Sequence, residues 1–180
     1  EPTLYPYLPE LIDLYKANGM SVFLVTNGTS PEMLRKVYPT QLYMSLDATD
    51  LETYLKLCKP DDPKQWDSIL KSLEIMKSKK EEGVRTAIRI TLVNGLNDFD
   101  PEGFASLIKI AEPDFIEVKS YMHVGYSRIR LNRKNMMEMN DLRVFSRELE
   151  KHTGYNITSE SEPSRVILLT KNGKLNKIKK

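Results

Sequence analysis

Three short runs place polar side chains where an apolar one would be ordinary. Side chains two apart share a face of a β-strand. Tyr43, Ser45 and Asp47 therefore share one face of QLYMSLD, residues 41–47. Arg89, Thr91 and Val93 share one face of RTAIRITLV, 85–93, and Glu117 and Lys119 one face of FIEVK, 115–119. A buried polar group without a partner costs about 1–3 kcal/mol, and a charge costs more. If the three faces turn the same way, they form a polar floor carrying both signs of charge. Arg89 can hold a carboxylate through two parallel hydrogen bonds. Ser45 and Asp47 can take ribose hydroxyls or an amine. The competing reading is that the groups satisfy one another, Arg89 with Glu117 and Asp47 with its own turn.

Lys119 ends its run. Desolvation there can lower its pKa and make the amine nucleophilic toward a carbonyl; it can equally snorkel at the strand mouth. His123 lies on a loop and could shuttle a proton or serve as an ordinary hydrogen-bonding residue. His152 sits late on a helix, a surface or capping position. Arg128, Arg130, Arg133 and Lys134 form a basic cluster just past Lys119. It suits a phosphate backbone, or it is a solvated loop. Asn27-Gly28 lacks the glycine spacing of a nucleotide-binding loop. Cys58 is the one cysteine, so this chain has no internal disulfide and builds no all-cysteine metal cluster by itself. Trp66 and Met76 read as core.

The elements that must position these residues alternate. Short apolar runs at 21–26, 41–47, 85–93 and 115–119 read as strands. Between them lie helical patterns: Leu8, Leu11, Ile12 and Tyr15, stopped by Asn18-Gly19; Met33, Leu34 and Val37, capped by Ser30-Pro31; Trp66, Ile69, Leu73 and Met76, ended by Gly83; Phe104, Leu107 and Ile108 after Pro101. A linker with Lys59-Pro60-Asp61-Asp62-Pro63 leads into the helix carrying Trp66, and 121–140 reads as a long irregular segment. A helix over 141–151 follows, then strands at 155–160 and 165–169. The last ten residues, 171–180, hold five lysines and are expected to form a frayed basic tail. Alternating β and α units predict an α/β fold with a mainly parallel sheet, and binding at the carboxyl ends of its strands.

At 180 residues, 40% hydrophobic and 29% charged, the chain allows one domain, or at most two small ones. These values exclude a collagen, a mucin-like stalk, a fully disordered chain and a transmembrane bundle. The net charge of +2 does not by itself indicate nucleic acid, although a local basic face is allowed. A reducing compartment fits the lone cysteine.

Read together, these runs resemble the radical S-adenosylmethionine (SAM) enzymes, and within them the wyosine branch, the archaeal tRNA 4-demethylwyosine synthases. The resemblance lies in EPTLYP at 1–6, LVTNGTSP at 24–31, QLYMSLDA at 41–48, RITLVNGLN at 89–97, PDFIEVKSYMHVGYSRIRL at 113–131 and SRVILL at 164–169. It implies a partial (β/α)6 barrel, about four of whose strands lie in this chain beside a C-terminal strand pair. The chain is then the portion after the cluster-binding region, expected inactive alone, with the rest of the same protein as its partner. The resemblance also implies SAM as cofactor and two 4Fe-4S clusters whose cysteine ligands this chain does not contain; no metal ligand is expected among its residues. A 5′-deoxyadenosyl radical would start a lyase or synthase reaction joining pyruvate carbons to N1-methylguanosine in phenylalanine tRNA. A cytoplasmic tRNA-processing enzyme, served by an electron donor and away from membranes, follows.

By position, Glu1 and Pro2 would lie beside the methionine moiety of SAM, with Thr26 and Asn27 facing the same cofactor. Ser45 and Asp47 would approach its ribose. Arg89 would meet a carboxylate of SAM or pyruvate. Lys119 is a candidate for imine formation with pyruvate, the other place for that lysine being upstream of this chain. His123, Arg128, Arg130 and Arg133 would face the tRNA. Two other readings stand beside this one: a different radical SAM enzyme, and a cluster-free α/β module that binds RNA.

Overall fold

A computed structural model describes residues 1–173. The helices are α1 (Leu8–Ala17), α2 (Pro31–Lys36), α3 (Leu51–Cys58), α4 (Gln65–Glu81), α5 (Pro101–Ala111) and α6 (Met139–Thr153). The strands are β1 (Phe23–Thr26), β2 (Gln41–Ser45), β3 (Arg85–Leu92), β4 (Phe115–Ser120), β5 (Asn156–Ser161) and β6 (Val166–Thr170). They form one mixed sheet in the order β1-β2-β3-β4-β6-β5. The first four are parallel, while β6 runs antiparallel to β4 and β5 antiparallel to β6. This agrees with a (β/α) arrangement of the radical-SAM type. The expected frayed tail lies mostly at 174–180, outside the described residues.

The two faces of the sheet differ. Leu24, Met44, Ile88, Ile90 and Val118 point to one side and are 0–4% exposed. Leu73 and Met76 of α4, Phe104 and Ile108 of α5 and Leu142 and Phe145 of α6 join them in a single core. Phe23 and Val25 point to the other side, 53% and 40% exposed, and Tyr43, Ser45, Arg89, Glu117 and Lys119 beside them are half-buried. Parallel sheets ordinarily bury both faces. Here the apolar residues commit one face to the helices, and the polar ones keep the other open.

Two segments differ from the sequence reading. The stretch before Lys59-Pro60-Asp61-Asp62-Pro63, unassigned from the sequence, forms helix α3. Asp50 caps α3 by accepting the Thr53 N–H at 2.8 Å, and Leu51, Tyr54, Leu55 and Cys58 continue at helical spacing. The segment 121–140 is organised by 3-10 helices at Gly125–Ile129 and Arg133–Asn135, and α6 begins two residues earlier than expected. In the second segment Arg130 and Asn135 bond to the distant carbonyls of Leu57 and Asn94, which no periodicity records.

Gly28 closes the turn after β1 at φ +76°, and a Cβ there would meet Met44 Sδ at 2.9 Å. Gly28→Ala should therefore cost about 1–3 kcal/mol, read as a lowered denaturant midpoint at unchanged slope.

Candidate active site

The site is assembled by strand register. Ser45 pairs with Arg89, and Arg89 with Glu117; one step along, Thr91 pairs with Lys119. Asp47 lies two residues past Ser45 and reaches Thr91, whose N–H donates to Asp47 Oδ1 at 2.8 Å. Asp47, Arg89 and Lys119 therefore stand on one side of the sheet, toward its carboxyl-end rim.

Arg89 Nε donates to Glu117 Oε1 at 2.7 Å, so of the two readings of Arg89 the structure adopts the internal pair. That bond leaves the two terminal amino groups, the fork that grips a carboxylate, unspent on Glu117. The guanidinium also sits 5.0 Å from the Tyr43 ring centroid. Asp47 is not satisfied by its own turn, as the internal reading had it; its partner is β3. Lys119 has no carboxylate partner among the described residues.

Sequence reasoning missed Asn97, which locks this rim. Its Nδ2 donates to the Asp47 carbonyl at 2.8 Å and the Thr91 carbonyl at 3.0 Å, and its Oδ1 accepts the Val93 N–H at 2.7 Å. It is 2% exposed. Both its N–H donors are used to hold the ends of β2 and β3 together, and its oxygen fixes the turn after β3. An asparagine inside a polar loop carries no signal of such a task.

Glu1 anchors the far side. Its Oε1 accepts the Thr3 N–H at 3.0 Å and the Thr3 and Thr26 hydroxyls at 2.7 and 2.8 Å, and its Oε2 accepts the Asn27 N–H at 2.7 Å. Burial pushes this carboxyl up, but the donors, Asn27 first, outweigh it and hold the group below the usual carboxylate range. It is thus a fixed anion. Pro2 begins the 3-10 turn Pro2–Leu4 that Glu1 caps. Thr26 corrects an expectation: it lies on the helix-covered face, 2% exposed, its hydroxyl spent on Glu1 and the Gly28 N–H. It can act on a ligand only through Glu1.

Asn27, Ser45 and Asp47 line a cavity of about 140 Å³ with Tyr54, Cys58 and Trp66. Cys58 is exposed as a residue, yet its thiol borders this cavity, and burial followed by the Asp47 charge pushes it up to about 12. It stays a neutral thiol, unsuited to nucleophilic attack or metal binding at neutral pH. Burial also drives Asp47 up to about 6 from 3.8, against the Thr91 hydrogen bonds and the Arg89 charge.

The loop after β4 crosses this rim. The Tyr121 hydroxyl meets His123 Nδ1 at 3.1 Å and orients the ring. Arg128, Arg130 and Arg133 are exposed. Arg130 is not simply a free cation, because Nη2 donates to the Leu57 carbonyl at the end of α3. Among the described residues no three His, Cys, Asp or Glu side chains are placed to hold a metal ion, and no helix is long and apolar enough to cross a membrane.

Two outcomes follow from this geometry. Asn97→Ala strips partners from one buried and two partly buried backbone groups and should cost about 1–3 kcal/mol in unfolding free energy. The second concerns Asp47. Between about pH 4 and pH 6 the folded protein holds a proton there that the unfolded chain releases, so this group's contribution to stability falls as pH rises through that window. Asp47→Asn keeps an acceptor for Thr91 and cannot titrate. Relative to wild type, the variant's stability should climb across the window and level off above it; a difference independent of pH would contradict the assignment.

Comparison with known proteins adds the lineage. The family model described as "Radical SAM superfamily" matches residues 1–108, which hold β1 to β3. The model described as "Wyosine base formation" matches 110–171, which hold β4, its loop, α6 and the final hairpin. The S-adenosyl-L-methionine-dependent tRNA 4-demethylwyosine synthase of Methanocaldococcus jannaschii is 45% identical over 177 residues, covering 98% of this chain and 55% of that protein. The synthase of Pyrococcus horikoshii is 46% identical over 175 residues, covering 94% and 50%. A solved structure described as TYW1 with a lysine-pyruvate adduct bound superimposes with a TM-score of 0.86 at 42% identity, over 97% of this chain and 55% of that one. The chain thus spans about half the length of the relatives it matches. With one family model over more than half its residues, it belongs to the radical SAM superfamily and is closely related to the archaeal tRNA 4-demethylwyosine synthases.

Proposed function

We propose that the complete protein is a tRNA 4-demethylwyosine synthase: a cytoplasmic radical SAM enzyme that condenses pyruvate carbons with N1-methylguanosine in phenylalanine tRNA. This chain contributes the cofactor- and substrate-facing wall, its open sheet face being the inner face of a partial (β/α)6 barrel with β1 to β4 as four of the strands. The observation that carries this reading is the wyosine-base-formation match over 110–171, because it contains Lys119, His123 and the basic loop, the parts a shared barrel alone would not require.

The donor set suits SAM. Glu1 offers a fixed anion for its ammonium, Ser45 and Asp47 offer hydroxyl and carboxylate for ribose, and Arg89 offers a fork for a carboxylate. Pro2 and Asn27 border the same end of the site. Bound SAM supplies one-electron, hydrogen-abstracting chemistry. An iron–sulfur cluster does not fit this chain's described residues, whose one thiol stays protonated, so no step is assigned to one here; the two clusters and their electron donor belong to the complete protein in this reading.

Lys119 is the candidate amine for pyruvate. Attack of Nζ on the keto carbon with loss of water gives an imine, and the similar solved protein carries a lysine-pyruvate adduct. Arg89 Nη groups would hold the pyruvate carboxylate. His123, its ring set by Tyr121, would exchange a proton with the tRNA base through Nε2. Arg128 and Arg133 would pair with phosphates.

The anaerobically reconstituted full-length protein, given SAM, pyruvate, a reductant and the methylated tRNA, should yield the tricyclic nucleoside by mass spectrometry. Absence of that product rejects the reading. Arg89→Ala should reduce turnover at least about tenfold, the scale of one lost charge-assisted contact. Borohydride reduction with labelled pyruvate should mark the peptide bearing Lys119; labelling retained in Lys119→Ala would move the imine to another lysine.

A further inference from the structure

The loop after β4 holds the two most exposed large apolar residues among those described, Tyr126 at 82% and Ile129 at 75%, with Val124 beside them at 63%. They are not a frayed end. In the 3-10 helix Gly125–Ile129, positions three apart stack on one face, so Tyr126 and Ile129 face outward together. The Ser127 hydroxyl donates to the Val124 carbonyl at 2.6 Å and closes the turn.

The segment is pinned on both sides. Arg130 Nη2 holds the Leu57 carbonyl on α3. Asn135 Nδ2 donates to the Asn94 carbonyl at 3.0 Å, and the Asn94 N–H returns to the Asn135 carbonyl at 2.9 Å. These contacts hang the loop between the structure following β2 and the end of β3. An exposed aromatic held this firmly is a surface shaped in advance for a partner.

Charge says which partner. Residues 121–137 contain Arg128, Arg130, Arg133 and Lys134 and no Asp or Glu. An aromatic ring set among unopposed cations is the combination that takes an unstacked base on its face while the cations meet the phosphates.

We propose that Tyr126 is a stacking platform for a base of the RNA substrate, flanked by Arg128 and Arg133 as phosphate contacts, and that Arg130 is a positioning residue holding the platform at the strand ends. This rests on the tRNA-modifying reading above and deepens it. A base taken out of its stack to reach the open face would lose stacking energy, which the ring offsets.

The test uses full-length protein and phenylalanine tRNA bearing N1-methylguanosine, titrated across a salt series, with product formation followed in parallel. Tyr126→Ala should weaken binding about tenfold with the salt slope unchanged, since stacking releases no counterion. Tyr126→Trp should restore binding. Arg128→Ala and Arg133→Ala should each lower the slope by about 0.7–0.9. If wild type binds and converts the tRNA while Tyr126→Ala matches it, the platform is wrong and the tRNA reading stands. If wild type neither binds nor converts the tRNA, both fail. A change in sedimentation of Tyr126→Ala with RNA affinity intact would make the patch a protein contact and overturn the proposal.

Discussion

The parallel register across β2, β3 and β4 is the constraint from which the site descends. Pairing Ser45 with Arg89 and Arg89 with Glu117 decides which side chains meet. A slip of one residue would exchange the faces, sending Arg89 into the core and Ile88 or Ile90 into the opening. The apolar set makes that slip prohibitive, because Met44, Ile88, Ile90 and Leu92 are all 0% exposed under the helices. Core packing thus aims the polar face without touching it.

A second layer of constraint acts at the rim, where strands end and backbone groups lose their ladder partners. There the sequence supplies side chains instead. Asn97 satisfies backbone groups of Asp47, Thr91 and Val93, while Glu1 gathers the Thr3 and Asn27 N–H groups with the Thr26 hydroxyl. Ser120 donates to the Tyr121 carbonyl and accepts the Met137 N–H, so the chain leaves β4 and returns to α6 on a fixed path. These bonds, several of them buried, give the opening a defined shape. The loop bearing Tyr126 and the arginines is then hung across it at two points.

Much of this was legible in the residues. Period two in 41–47 and 85–93 grouped Ser45 with Asp47 and Arg89 with Thr91 as the register has them, because register in a half-covered sheet follows hydrophobicity. Repeated β and α periods announced the parallel sheet, and the long matching runs announced the lineage. Other parts were not legible. Helix α3 escapes notice because it is short and lies directly before the Pro- and Asp-rich linker, although Leu51, Tyr54, Leu55 and Cys58 keep helical spacing and Asp50 caps its start. The competition for Arg89 between Glu117 and a ligand was visible, but its outcome depends on side-chain geometry. Asn97 and Arg130 bind backbone carbonyls far along the chain, and a carbonyl has no letter in the sequence. Thr26 misled because strand-end position was read without its face: it points into the core.

The central claim is that one face of this sheet, and not the helical layer behind it, receives the small ligands. Amide hydrogen exchange of the full-length protein with and without SAM reads this directly. Slowing is expected at the β1 end through Asn27, at Ser45 to Asp47, and at Thr91 to Asn94, with α4 and α5 unaffected. Slowing confined to α4 and α5, with those strand ends unchanged, would contradict the account.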